Sequence, residues 1–187
     1  LVLDAHLPWT VLRPGLVLGD SQTGRVDKLG GLYRLGILAG HVPKNIPLPT
    51  PAKDARLHAV AVDTLACAAR RVSSSTAAVG RIIVIDHPEP LPAAEVLEAV
   101  AEASGHGTAR WPVNLSLISK VAPMVMRNDA LARDLTYLND RATYDAPDSV
   151  ALLAGLKVPM PPPRQLMKKA FEFTLKTLRE ERARRAD

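Results

Sequence analysis

A single cysteine, Cys67, among 187 residues excludes an internal disulfide, and its place on the apolar side of a helical pattern makes it a small core residue rather than a nucleophile. Aromatic residues are scarce, at 4%, so a basic groove interleaved with stacking aromatics, the signature of a nucleic-acid binder, is missing. No apolar run approaches the ~20 residues of a membrane span, and no charged region with a cleavage site marks a signal peptide, so a cytoplasmic location is expected. The five histidines, at 6, 41, 58, 87 and 106, show no short ligand spacing, and no metal is expected. What is present is ordinary for a globular chain, with 47% hydrophobic and 23% charged residues. Of the net charge of +5, +4 lies in residues 164–187, which reads as one solvated, basic C-terminal helix.

Residues 7–28, LPWTVLRPGLVLGDSQTGRVDK, organise the rest. Residues 9–13 read as a buried strand, because apolar and β-branched side chains run almost unbroken between Pro8 and Pro14. Pro14 has no N–H for a ladder and Gly15 has no side chain, so the strand is expected to stop there and leave backbone groups free just beyond it. In an open α/β sheet, ligands sit outside the carboxyl ends of strands, which makes this turn a candidate floor for a flat ligand.

The same stretch resembles the Arg-Pro-Gly segment of extended short-chain dehydrogenases/reductases, and most of all their male-sterility branch, the fatty acyl-CoA and thioester reductases. The matching residues are Arg13-Pro14-Gly15, the apolar Leu16 to Leu18, Gly19-Asp20-Ser21, Thr23-Gly24 and Asp27-Lys28. The resemblance implies that backbone at Pro14, Gly15, Leu16 and Val17 meets the nicotinamide end of NAD or NADP. It puts Arg13, Gly19, Asp20 and Ser21 on the substrate side, and Asp63 with them, through the matching Val60-Ala61-Val62-Asp63. Arg13 has no role derivable from its chemistry; as a surface ion pair it would be worth about 0–1 kcal/mol. By position alone, Asp63 reads as the N-cap of a helix.

Enzymes of this kind also need a Gly-rich pyrophosphate turn and a Tyr-x-x-x-Lys pair. Four residues after Tyr33, Tyr137 and Tyr144 stand Ile37, Arg141 and Asp148, so no pair is present, and Gly30-Gly31 follows no strand. No catalytic residue is therefore assigned. The chain is expected to be a C-terminal fragment whose N-terminal Rossmann half lies elsewhere and which is inactive alone.

The expected fold is α/β: the C-terminal portion of a Rossmann-like, doubly wound parallel sheet plus a mostly helical substrate-binding region. It forms a single unit, with 1–110 holding the last core strands and 111–187 the helical part. Leu1 to Ala5 closes a preceding helix. Val26, Leu29, Tyr33 and Ile37 recur at helical spacing over 26–39, a helix whose apolar stripe suits either a pocket wall or the core. Residues 40–55, with four prolines, form a loop. Leu57 to Val62 is a short strand leading into a helix through Val72, with Leu65, Ala66, Ala69 and Val72 buried. Arg81 to Ile85 is the clearest strand, its apolar run predicting burial on both faces. Pro92 opens a helix with Val96, Leu97 and Val100 inside, which Gly105 or Gly107 ends. Trp111 to Leu115 reads as a strand, 116–138 as helix with Met124 and Met126 as core filler, and residues 164 to about 180 as the last helix.

The function implied by the resemblance is the substrate half of an NAD(P)-dependent reductase acting on an acyl thioester or related carbonyl compound. The leucines of residues 16–60, including Leu16, Leu18, Leu29, Leu32, Leu35 and Leu38, with no paired cations for a diphosphate, favour an apolar acyl substrate. A sugar-nucleotide epimerase or dehydratase of the same superfamily, and a non-catalytic binding module, are the alternatives. Expected partners are a small-molecule substrate, the missing half of the protein and, as an option, a second copy in a homodimer.

Overall fold

The computed structural model describes residues 7–44, 48–50, 55–112 and 144–186. The strand of the Arg-Pro-Gly segment, β1 (Thr10–Pro14), pairs in parallel with β6 (Arg81–Ile85), Thr10 opposite Arg81 and Pro14 opposite Ile85. The chain does not stop at Pro14. After the single residue Gly15 it enters β2 (Leu16–Leu18), which pairs in parallel with β5 (Ala59–Ala61). The backbone groups expected to be free are therefore engaged: Gly15 N–H donates to the Ile85 carbonyl at 3.0 Å and Leu16 N–H to the His58 carbonyl at 2.8 Å. Two smaller pairs complete the strands, β3 (Leu48–Thr50) parallel to β8 (Thr108–Pro112), and β4 (Arg56–Leu57) antiparallel to β7 (Leu91–Pro92). With helices between parallel partners, the architecture is mixed α/β.

Burial corrects two strand expectations. In β1 the residues Thr10 to Leu12 are half-buried and Arg13 and Pro14 exposed, and in β6 only Ile83 and Ile85 are buried while Ile82 is 46% exposed. The covered face carries Ile83 and Ile85 into a core with Val60, Ala68, Val72, Ala78, Leu153 and Val158. Along the outer edge of β6, α4 (Pro147–Gly155) takes up backbone: Ser149 Oγ accepts the Val84 N–H at 3.1 Å.

The helix α1 spans only Tyr33–Ala39, not 26–39. Gly31 sits at φ 57°, outside right-handed helical space, so the periodic residues before it belong to turns. The helix α2 (Val62–Ser73) follows β5 without a loop; Ala61 is its N-cap residue, and Thr64, Ala68 and Val72 are buried rather than Leu65, Ala66 and Ala69, with Cys67 half-buried. The helix α3 (Ala93–Ser104) starts after Pro92 and ends at Gly105, with Val96, Leu97 and Val100 buried as expected.

The last helix, α5 (Pro163–Ala186), is not simply a solvated basic rod. Leu166, Met167, Ala170, Phe171, Thr174 and Leu175 recur at helical spacing and are buried, in a common core with α3 and α1. Burying Phe171 alone contributes roughly 1.5–3 kcal/mol. Gly36 of α1 makes the approach possible, since a β-carbon there would lie 3.1 Å from the Thr174 methyl and 3.2 Å from the Phe171 ring. At the other end of the chain's second core, Arg71 donates to the carbonyls of Leu156 and, at 2.6 Å, Lys157, neutralising the C-terminal end of α4.

Within 40–55, expected as loop, residues 48–50 form β3 and the described part up to Lys44 is turn. The expected boundary at residue 110 falls inside β8, which starts at Thr108, earlier than the predicted strand at Trp111. The predicted helix over 116–138, with Met124 and Met126, and the closing turn at Leu1 to Ala5 lie outside the described residues.

Candidate functional site

The sequence-predicted residues separate into two places. Pro14, Gly15 and Leu16 lie at the carboxyl ends of the parallel pair β1 and β6. Asp86 follows β6 directly, and His58 stands between β4 and β5. A hydrogen bond joins His58 Nδ1 to Asp86 Oδ2, and the two side chains are only 10% and 7% exposed. The other Asp86 oxygen accepts the His87 N–H at 2.9 Å. Burial pushes the Asp86 carboxyl above its ordinary value, and the hydrogen bond and charge of His58 pull the other way. Tyr144 meets the His58 ring edge-on, with ring centroids 4.6 Å apart and planes at 71°.

Two cavities open here and share Arg56, His58 and Tyr144 in their walls. One, of about 260 Å³, is floored by Pro14, Gly15 and Leu16. The other, of about 620 Å³, runs past Asp86 and His87 to the start of α4 at Pro147 and is walled on its apolar side by Val84, Pro88 and Pro90. The second volume falls in the range of small-molecule sites.

Gly15 has a structural reason that precedes any ligand. A β-carbon on it would stand 2.9 Å from the His58 carbonyl oxygen and 3.2 Å from Asp86 Oδ1, so the absent side chain makes room for the protein's own backbone. Val17, on the opposite face of β2 from Leu16, borders a third cavity of about 550 Å³ together with Gly19 and Asp20. Arg13 is exposed at the end of β1.

The second place is the loop Gly19–Arg25, where Gly19, Asp20, Ser21 and Asp63 come together. Asp63 is in the first turn of α2, not its N-cap. Its carboxylate accepts the Ser21 N–H at 2.9 Å and the Ser21 hydroxyl at 2.7 Å. Asp20 Oδ1 accepts the Thr23 N–H at 2.8 Å, the Thr23 hydroxyl at 2.7 Å and the Gln22 N–H at 3.1 Å, and these bonds, Thr23's hydroxyl first, hold its carboxyl below the ordinary value. Gly19 N–H donates to the Tyr33 hydroxyl at 2.6 Å. Gly24, at φ 70°, lets the loop touch α5: a β-carbon there would fall 2.1 Å from the Lys169 carbonyl oxygen.

The sequence does not single out His58 and Asp86 for this site, and Tyr144 enters the sequence reading only as a tyrosine with no lysine four residues on. Two signals point to the first two: a histidine inside the apolar segment Leu57 to Val62, and an aspartate immediately after the carboxyl end of the chain's most apolar strand, where α/β sheets place their functional groups. His106, by contrast, is buried with both ring nitrogens within hydrogen-bond distance of Ser104 Oγ and the Val42 carbonyl, a structural histidine.

Residues 2–69 match the NAD-binding family described as male sterility protein. None of the curated proteins matches the chain. Among solved structures, the terminal R domain from the myxalamid PKS-NRPS biosynthetic pathway is 21% identical with a TM-score of 0.70, over 96% of this chain and 46% of that one. The structure of gox2253 is 14% identical with a TM-score of 0.53, over 94% of this chain and 53% of that one. At these identities the likeness concerns the fold, and the chain spans about half the length of either structure. The fold is thus like that of the terminal R domain, and residues 2–69, which contain the Arg-Pro-Gly segment, are similar to the NAD-binding male sterility family.

Proposed function

We propose that this chain is the substrate-side half of an NAD(P)-dependent oxidoreductase of the extended short-chain type, reducing an acyl thioester or related carbonyl compound. The observation that carries the reading is the cleft floored by Pro14, Gly15 and Leu16 at the carboxyl ends of two parallel strands, inside the segment that matches an NAD-binding family.

The residues present fit a nicotinamide ring. Pro14 and Leu16 offer an apolar border, Gly15 offers bare backbone between them, and Tyr144 and His58 stand across the cleft. Bound there, the reduced cofactor would supply the hydride for carbonyl reduction. The chain's own share is to bind and orient: the turn from Pro14 to Leu16 holds the ring end, Val17 facing a different cavity, and the neighbouring cavity of about 620 Å³ receives the compound to be reduced. Neither a Tyr-x-x-x-Lys pair nor a Gly-rich pyrophosphate turn is among these 187 residues, so no proton donor and no pyrophosphate site is assigned to them.

The acyl reading loses some of its original support and keeps another. Leu18, Leu32 and Leu35 are buried in the core with α5, so they are not a substrate wall. Val84, Pro88, Pro90 and Val150 supply an apolar wall instead. The full-length enzyme, given NADPH or NADH with acyl-CoA or UDP-sugar substrates, tests the assignment through cofactor absorbance and product identity. Turnover of acyl thioesters is expected; conversion of UDP-sugars alone would overturn the acyl reading. The 187-residue chain alone is expected to bind NADH and NADPH weakly and to turn over nothing, and micromolar binding by fluorescence titration would contradict this.

A further inference from the structure

The ion pairs of Arg164 with Glu95, Glu98 and Glu102 lie on the surface, the arginine side chain being 48% exposed; the His58–Asp86 pair is buried and sits directly behind the Pro14–Leu16 turn. Each partner grips that turn from its own side. The His58 carbonyl accepts the Leu16 N–H, and the residue before Asp86, Ile85, accepts the Gly15 N–H through its carbonyl. The Asp86 side chain itself fills the space against Gly15, with Oδ1 3.2 Å from where a β-carbon would stand. The bond between His58 and Asp86 then closes a ring that runs from the end of β6, through Gly15 and Leu16, to the link between β4 and β5. Tyr144, packed edge-on against His58, forms a wall of both cavities, so the ring's position also sets the shape of the cleft.

We propose that His58 and Asp86 are positioning residues that fix the backbone of the Pro14–Gly15–Leu16 turn, and through it the surface on which the nicotinamide end of the cofactor lies. This rests on the reading of that turn given above. It requires no proton transfer by either residue: the pair acts because a buried carboxylate with a lost partner is costly, so the three segments it joins are held to one arrangement.

The test uses the full-length enzyme with His58→Leu, which keeps apolar volume but removes the bond to Asp86, and His58→Asn, which can restore a donor to the carboxylate. Hydrogen exchange is read on peptides spanning residues 11–17 and on peptides from α3 and α5, alongside NAD(P)H affinity. In His58→Leu, exchange over 11–17 is expected to speed up by about tenfold and cofactor affinity to fall by about tenfold, with exchange in α3 and α5 close to wild type. His58→Asn is expected to recover most of both. Unchanged exchange over 11–17 in His58→Leu would overturn the positioning role. Exchange accelerated everywhere in both variants would do so too, since the pair would then be a general element of the core. Faster exchange over 11–17 with unaltered cofactor affinity would overturn the link to the cofactor. A wild-type enzyme that binds neither NADH nor NADPH would instead refute the functional reading on which the proposal rests.

Discussion

Two parts of one short motif are built in opposite ways. In the loop Gly19–Arg25, side-chain oxygens are spent on holding the loop: Asp20 on Gln22 and Thr23 within it, Ser21 on Asp63 of α2. In the turn Pro14–Leu16, only the backbone is spent, and one side of the turn borders a cavity. A motif that is continuous in sequence therefore does two jobs. The second half ties the first turn of α2 and the backbone of α5 to the end of β2, and the first half presents a surface. Residues that look equally chemical in the sequence, such as Asp20 and Ser21, are in the part that is closed.

The largest effect should come from breaking the closed part at Gly24. Replacing it with alanine forces an L side chain into positive φ and drives a β-carbon into the Lys169 carbonyl, only 2.1 Å from the position it would take, on the backbone of a helix that cannot give way locally. We expect Gly24→Ala to cost about 2–4 kcal/mol, measured by urea unfolding. A loss under about 0.5 kcal/mol would show that the loop can lift from α5 without penalty, and the contrast between the two regions would weaken.

Removing the clamp between loop and helix comes next. Asp63→Ala leaves the Ser21 N–H and hydroxyl without their acceptor and should cost about 1–3 kcal/mol, whereas Ser21→Ala, which keeps the backbone bond, should cost about 0.5–1.5 kcal/mol. If the regions are as separate as their hydrogen bonds suggest, cofactor affinity of the full-length enzyme should stay within about twofold of wild type in Asp63→Ala. A tenfold loss would join the loop to the proposed cofactor surface and dissolve the comparison.

How much of this was legible beforehand depended on the range of the interaction. Local signals read well: the apolar run of Arg81 to Ile85 became β6, and Pro92 and Gly105 bracketed α3. Asp63 was misread because β5 passes straight into α2. The cap position fell on Ala61, and the carboxylate was left to bind Ser21, 42 residues away, a contact that no local pattern carries. His58 and Asp86 are 28 residues apart and meet only because β1 and β2 bring the ends of β5 and β6 around the same turn. The charges of α5 concealed its buried stripe, although Leu166, Ala170 and Thr174 stand at four-residue spacing in the sequence. Helix α1 was drawn too long because a periodic pattern says nothing about the φ of Gly31.

The open part can be tested through Asp86. Its carboxyl lies above the ordinary value because burial disfavours the charged form more than His58 favours it; His87, through its backbone N–H and its charge, also favours the charged form. The sign follows. A carboxyl whose folded value is raised contributes stability that is fully present below the unfolded value of about 3.9 and is lost as pH rises through the folded value. Urea midpoints measured across that window should therefore fall less steeply with rising pH, or rise more steeply, in Asp86→Asn than in wild type. Identical pH slopes in the two proteins would mean that Asp86 titrates no differently folded than unfolded.

Asp20 should show the opposite sign and the smallest effect. Water and salt reach its carboxyl and screen it, yet its bonds to the Thr23 hydroxyl and N–H and to the Gln22 N–H favour the charged form. A lowered folded value contributes stability that is present above the unfolded value and is lost as pH falls through the folded one. The Thr23 amide reports this directly, because its proton points at Asp20 Oδ1. In an NMR titration, its shift should move with an inflection below the ordinary 3.8, and the inflection should vanish in Asp20→Asn. An amide that titrates at or above 3.8 would show that the loop opens before its carboxylate protonates. The closed region would then be held by Asp63 and Gly24 alone, with Asp20 only filling the turn.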